Sequence, residues 1–312
     1  MEASNDTVRV HLRGSYDFER LERAVRDLQP LLQLDYPARI HLDLGGLVFI
    51  GPTAIALLEA ALRRLEDEGL LVSGGLIVEP TSRLTAQYLR RMDFFRGLAS
   101  VGDVPESFER RKPVGFRPCQ EFTGEDDYWV VARDLTDALA ERCQMDTLAK
   151  AAIRVCLDEL AENVVQHADS PLGGFAAAQG MPKRHRFEIG IVDLGVGIRR
   201  SLSKNPRYAD IKDDVIAIET ALRPRVTSTP ERNSGIGLSV TKLLLRDNGG
   251  SLLVRSGTGL VVGGAEDRAE STAVGLTGTL VAVRARTDRP LDLRAVYRRL
   301  PVEDDDETVD DD

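Results

Sequence analysis

Hydrophobic and polar positions along the first hundred residues switch repeatedly between two periods. TVRVHLRG (7–14) alternates at period 2 and stops at a glycine, which predicts a strand. Residues 16–34 instead space Phe18, Leu21, Val25, Leu28, Leu31 and Leu32 at helical intervals. RIHLDL (39–44) reads as a second strand. In FIGPTAIALLEAALRRLEDEG (49–69), Pro52 falls where a first helical turn tolerates a missing N–H, and Gly69 falls where a helix stops. GLLVSGGLIVEP (69–80) predicts a strand bulged at its glycine pair, and PTSRLTAQYLRRMDFF (80–95) an amphipathic helix. This β-α-β-α-β-α order implies a small α/β domain over residues 1–102.

The periodicity lapses over residues 103–120, which carry Pro105, Pro113 and Pro118 with the basic run Arg110, Arg111 and Lys112, and the segment reads as a linker. A second domain follows over 121–300. It opens with two helices (about 126–143 and 146–168), a strand near Gly174–Gln179 and a strong strand FEIGIVDLG (187–195). A helix near Asp213–Leu222 and a polar loop, Val226–Gly237, precede the helix Leu238–Asn248. The closing strands are SLLVRS (251–256) and TGTLVAVRA (277–285). No internal repeat is apparent.

Charge adds one correction to this picture. The 312-residue chain has 41 Lys and Arg against 50 Asp and Glu, but eight of the acids lie in PVEDDDETVDDD (301–312), which reads as a disordered tail. The body is nearly neutral, with 16 bases and 17 acids in residues 1–120 and 25 of each in 121–300. A nucleic-acid partner, which calls for a basic face, is not expected. No apolar run reaches the roughly 18 residues needed to cross a bilayer, and the N-terminus lacks a signal pattern, so a cytoplasmic protein with no membrane partner is expected. Cys119, Cys143 and Cys156 are odd in number and lack CxxC spacing, which suggests neither a disulfide framework nor a zinc site.

Three segments carry candidate chemistry. In DELAENVVQH, Glu159, Asn163 and His167 recur every four residues beside an apolar stripe of Ile153, Leu157, Leu160 and Val164. One edge of a core-packed helix thus bears a carboxylate, an amide and an imidazole. A carboxylate can serve as general base, and an amide oxygen can ligate Mg²⁺, a hard cation that favours oxygen donors and phosphate. In IVDLGVGI (191–198), a strand ends in Asp193 and opens onto Gly195 and Gly197, where the backbone can approach a flat or anionic ligand. In NSGIGLSVTKLLLRDNGG (233–250), Gly235 and Gly237 stand immediately before a helix, whose first N–H groups favour phosphate. No GK[ST] follows, which excludes a Walker A loop, and the glycines do not leave a strand, which excludes a Rossmann fingerprint.

Taken in order, Glu159-x-x-x-Asn163, Asp193-x-Gly195-x-Gly197, Gly235-x-Gly237-Leu238 and Gly278-Thr279 resemble the four boxes of the GHKL ATPase family. The resemblance covers about residues 121–290 and is nearest to the anti-sigma-factor serine kinases and related histidine-kinase-type domains. It implies ATP and Mg²⁺ as cofactors and a Bergerat-type α/β sandwich, a mixed sheet covered by helices on one face. It further implies that Asn163 binds the metal and that Glu159 is the catalytic base. Asp193 would accept from the adenine amino group with Thr279 nearby, and Gly195 and Gly197 would shape the base pocket. Gly235, Gly237 and Leu238 would cradle phosphates, with Arg232 in the lid stretch Thr227–Asn233 as a γ-phosphate contact. His167 would support its helix.

Residues 7–100 resemble a STAS domain of the anti-sigma-factor-antagonist type, through IHLDLGGLVFIGPTAIALLEAAL. The match departs at Gly51-Pro52-Thr53, where the antagonists carry Asp-Ser-Ser with a phosphorylated serine. Proline cannot accept phosphate, and Thr53 reads as a cap or packed residue. The expected function is therefore an ATP·Mg²⁺-dependent regulator whose STAS-like domain relays the nucleotide state to a protein partner, regulatory or of the STAS or sigma type. A serine/threonine kinase acting on a separate STAS protein and a pure nucleotide sensor are the alternatives. A homodimer is a further expectation. The absence of a phosphoacceptor histidine on a dimerisation helix argues against a sensor histidine kinase.

Overall fold

The computed structural model describes residues 6–102, 117–228, 235–265 and 267–300. The acidic tail, Arg232 and the basic run 110–112 lie outside them. Among the described residues the chain is a mixed α/β protein with three sheets. Strands β1 (Thr7–His11), β3 (Arg39–Asp43) and β5 (Leu76–Val78) form a parallel sheet in the order β1-β3-β5, and β2 (Gly14–Tyr16) pairs with β4 (Leu47–Ile50). Helices α1 (Leu21–Asp27), α2 (Gln29–Leu32), α3 (Pro52–Asp67) and α4 (Arg83–Arg91) pack around them. The expected long helix over 16–34 is interrupted at Leu28, two residues before Pro30, whose ring cannot sit in a helix interior.

The second half is built on a five-stranded sheet in the order β6-β7-β8-β10-β9. Its strands are β6 (Arg117–Phe122), β7 (Gly174–Met181), β8 (Arg186–Asp193), β9 (Ser251–Gly264) and β10 (Arg268–Arg286). Strand β6 starts within the segment that reads as linker. The last two strands extend well past their expected limits as a long ribbon. Helices α5 (Tyr128–Cys143), α6 (Thr147–His167), α7 (Ile198–Leu202), α8 (Asp214–Ala221), α9 (Gly237–Asn248) and α10 (Leu293–Tyr297) complete the fold.

Two features of the expected sheet are corrected. Every pairing in it is antiparallel, so it is not mixed. It is also covered on both faces. Side chains alternate across a strand, and β8 is buried at every position from Phe187 to Asp193. Phe187, Ile189 and Ile191 join the core beneath α5, α6 and α9, whereas Val192, with Ala177 and Ala282 from the neighbouring strands, joins the core of the N-terminal half. Helix α3 supplies that second cover by packing on β7 and β8. It is apolar nearly all round, from Pro52 through Leu62, as a helix enclosed on all sides must be.

Charged contacts rim this junction. Arg284 of β10 donates to Glu188 Oε1 at 2.9 Å and forks onto Glu19, and its guanidinium lies over the Phe18 ring. The Arg284 guanidinium holds the Glu19 carboxyl down at about 2. On another side, the Tyr88 hydroxyl sits 2.6 Å from the Ile50 carbonyl and 3.1 Å from Gln179 Oε1. The core of the N-terminal half thus extends onto one face of the five-stranded sheet, and a second core lies on the other face. Among the described residues, no helix is long and apolar enough to cross a membrane.

Candidate functional site

A cavity with about 840 Å³ of empty space, part of it open to solvent, lies on the α6 face of the five-stranded sheet. Its walls come from α6, the end of β8, the start of α9 and the middle of β10. Asn163, Asp193, Gly197, Gly235, Gly237, Leu238 and Thr279 all line it. These residues span more than a hundred positions of sequence, and the sheet register is what unites them. Thr279 of β10 lies directly opposite Asp193 of β8.

Asp193 is the most constrained group. Only 3% of it is exposed, and burial in apolar surroundings pushes its carboxyl up to about 6. Hydrogen bonds from the Gly195 amide, at 2.9 Å to Oδ1, and from the Thr279 amide and hydroxyl oppose that rise. A buried carboxylate beside an apolar cavity is set to accept a hydrogen bond from a polar group of a ligand.

Gly195 does not line the cavity. A β-carbon there would collide with the Ala168 carbonyl, which accepts from the Val196 amide at 2.7 Å. Gly195 therefore locks the end of β8 to the end of α6 and orients Asp193 through its amide. Gly197 does reach the cavity, in a left-handed conformation (φ 77°) that glycine adopts without strain.

Glu159 is likewise absent from the cavity wall. Its carboxyl lies against Gly237 at the first turn of α9, where any side chain would strike it. Burial, followed by the neighbouring Glu162 and Asp158, raises the Glu159 carboxyl above the ordinary range. One helical turn on, Asn163 faces the cavity beside Leu160 and Val164. No group of three His, Cys, Asp or Glu side chains able to hold a metal occurs among the described residues. An ion at Asn163 would take its remaining ligands from phosphate and water, as Mg²⁺ does.

His167 closes the same edge of α6. Its Nδ1 is 3.1 Å from the Ser228 hydroxyl, and burial, reinforced by Lys204, holds the imidazole below its usual range. It joins the helix end to the start of the loop after Val226. Gly235 resumes the described chain, folded back so closely on Val226 that a β-carbon would lie 2.6 Å from the Val226 carbonyl oxygen.

Sequence reasoning missed the apolar wall of Ile198, Leu202 and Ala221, which line the cavity. The signal available was weak. Helix α7 is five residues long, too short to show a period. No protein-family model matches this chain, and no curated protein matches it.

Proposed function

We propose that the cavity binds an adenine nucleotide with Mg²⁺, and that the chain is a GHKL-type ATPase domain joined to a STAS-like unit. The observation that carries this reading is the convergence of Asp193, Thr279, Asn163 and the Gly235–Gly237 turn, drawn from all four sequence boxes, on one cavity. The donor set suits such a ligand. A buried carboxylate faces a largely apolar cavity, and the N-terminus of the twelve-residue α9 lines the same cavity as Asn163. Bound Mg²⁺ would supply neutralisation of phosphate charge, with Asn163 as its protein ligand. Glu159, held against Gly237 outside the cavity wall, would take the proton from the attacking hydroxyl or water through a bridging water.

The position of Thr53 bears on what is phosphorylated, if anything is. Thr53 is buried against Gly190, on the opposite face of β8 from Ile191 and the cavity. Transfer onto Thr53 of the same chain would have to pass through the sheet. The reading is accordingly a nucleotide-dependent regulator acting on a separate protein partner, by shape or by phosphorylation.

Calorimetry with ATP and Mg²⁺ tests it. The parent protein is expected to bind, while Asp193→Asn and Asn163→Ala lose binding. Equal affinity in all three overturns the assignment. Incubation with labelled ATP then separates an ATPase, which releases free phosphate, from a kinase, which labels a copurifying protein.

A further inference from the structure

We infer that Arg255, clamped from the N-terminal half by Glu22, is a positioning residue for the base-recognising end of the cavity, an inference that rests on the nucleotide reading above. Strand β9 turns two consecutive side chains in opposite directions. Arg255 points away from the cavity toward the N-terminal half, and Ser256 points toward it. The Ser256 hydroxyl accepts from the Ile198 amide at 3.0 Å and donates to the Gly278 carbonyl at 2.8 Å. Ser256 also lies opposite Thr279 in the ladder. One hydroxyl thus ties the Gly197–Ile198 turn to the Gly278–Thr279 step, and Thr279, like Gly195, hydrogen-bonds Asp193.

Arg255 holds this point of the ribbon from behind. The ladder between β9 and β10 slips twice nearby, between Ser271 and Leu276 and again between Leu276 and Thr279. Carbonyls at and beside those slips accept from the Arg255 guanidinium, which donates to Gly257, to Gly259 at 3.3 Å and to Val274, and to the Thr272 hydroxyl at 2.6 Å. Its Nε donates to Glu22 Oε2 of α1 at 2.9 Å. The side chain is 1% exposed, so Glu22 supplies the carboxylate that a buried guanidinium requires. The planar fork of five donors is what the arrangement uses, and a lysine cannot reproduce it.

The consequence is that the N-terminal half completes the base pocket without touching the ligand. Removing Glu22 leaves a buried cation, loosens the slipped ribbon and displaces Thr279 relative to Asp193. Base selectivity, set by that pair, should suffer along with affinity.

The test uses the full chain, with ATP and GTP titrations on Glu22→Gln, Glu22→Asp and Arg255→Lys. Glu19→Gln serves as the control, because it also removes an ion pair between the halves, the one to Arg284, which leads away from the cavity. Glu22→Gln and Arg255→Lys are expected to weaken ATP binding about tenfold and to narrow the preference for ATP over GTP. Glu22→Asp should recover part of the loss, and Glu19→Gln should stay at the parent value. A folded Glu22→Gln protein with parental affinity and preference overturns the inference, as does an equal loss in Glu19→Gln. If the parent protein itself fails to bind ATP, the nucleotide reading falls and this inference with it. If the parent binds, Asp193→Asn does not, and Glu22→Gln matches the parent, this inference alone falls.

Discussion

Thr53 rests directly on Gly190. A β-carbon placed on Gly190 would overlap the Thr53 backbone and lie 2.7 Å from its Cβ. The glycine in FEIGIVDLG is therefore a docking requirement, since only a strand without a side chain there lets the first turn of α3 lie flat on the sheet. Gly190→Ala forces α3 away from β8, and overpacking of this kind costs about 1–3 kcal/mol. Urea unfolding should show that loss, whereas Gly124→Ala, which meets nothing within 4 Å, should stay within about 0.5 kcal/mol of the parent.

Asp193 makes the ligand-free fold sensitive to pH. Its folded value of about 6 stands above the ordinary 3.8, so the protonated form is favoured in the folded state. The resulting stability is fully present below pH 3.8 and is lost as pH rises through 6. A shift of that size corresponds to about 3 kcal/mol. Asp193→Asn keeps the acceptor oxygen for the Gly195 amide but carries no charge. It is expected to be more stable than the parent at pH 8, with the advantage shrinking toward pH 5, while losing ATP binding. A variant less stable than the parent at pH 8 would contradict the burial argument.

Glu59 provides an independent case at the junction of the halves. Burial lifts its carboxyl to about 7 against a usual 4.5, partly opposed by a hydrogen bond from the Cys119 thiol. Its contribution is complete below pH 4.5 and disappears as pH rises through 7. Glu59→Gln should flatten the fall in the urea midpoint between pH 5 and pH 8, with little effect on nucleotide affinity.

Glu159→Gln addresses the chemistry. The amide occupies the same space beside Gly237 but cannot take a proton. ATP affinity should be retained and turnover should fall about 10²–10⁴-fold, the usual contribution of a general base. Turnover at the parental rate would assign Glu159 a purely structural place at the start of α9.

Much of this molecule follows from local pattern. Helices α3, α5, α6 and α9 begin within a few residues of where periodicity, Pro52 and the glycine turns put them, because burying an apolar face gives a helix a recognisable period. Residues that converge on the cavity were also readable, since Asp193, Gly197, Gly235 and Gly237 sit at element ends. Long-range pairing was not. Strand β6 has no alternation to reveal it, and the first half of β10, from Arg268 to Gly275, is largely exposed, so the extent of the ribbon depends on cross-strand bonds that no local period encodes. The second cover of the sheet was equally hidden. The apolar run in β8 announces burial on both sides but does not say by what, and only the folded chain brings α3 there, Thr53 onto Gly190 and Glu22 onto Arg255. Sequence alone determined which residues could make a site, because their chemistry and turns are local; tertiary structure decided that the N-terminal half forms the back of that site, because contacts between distant segments are set by how two surfaces fit.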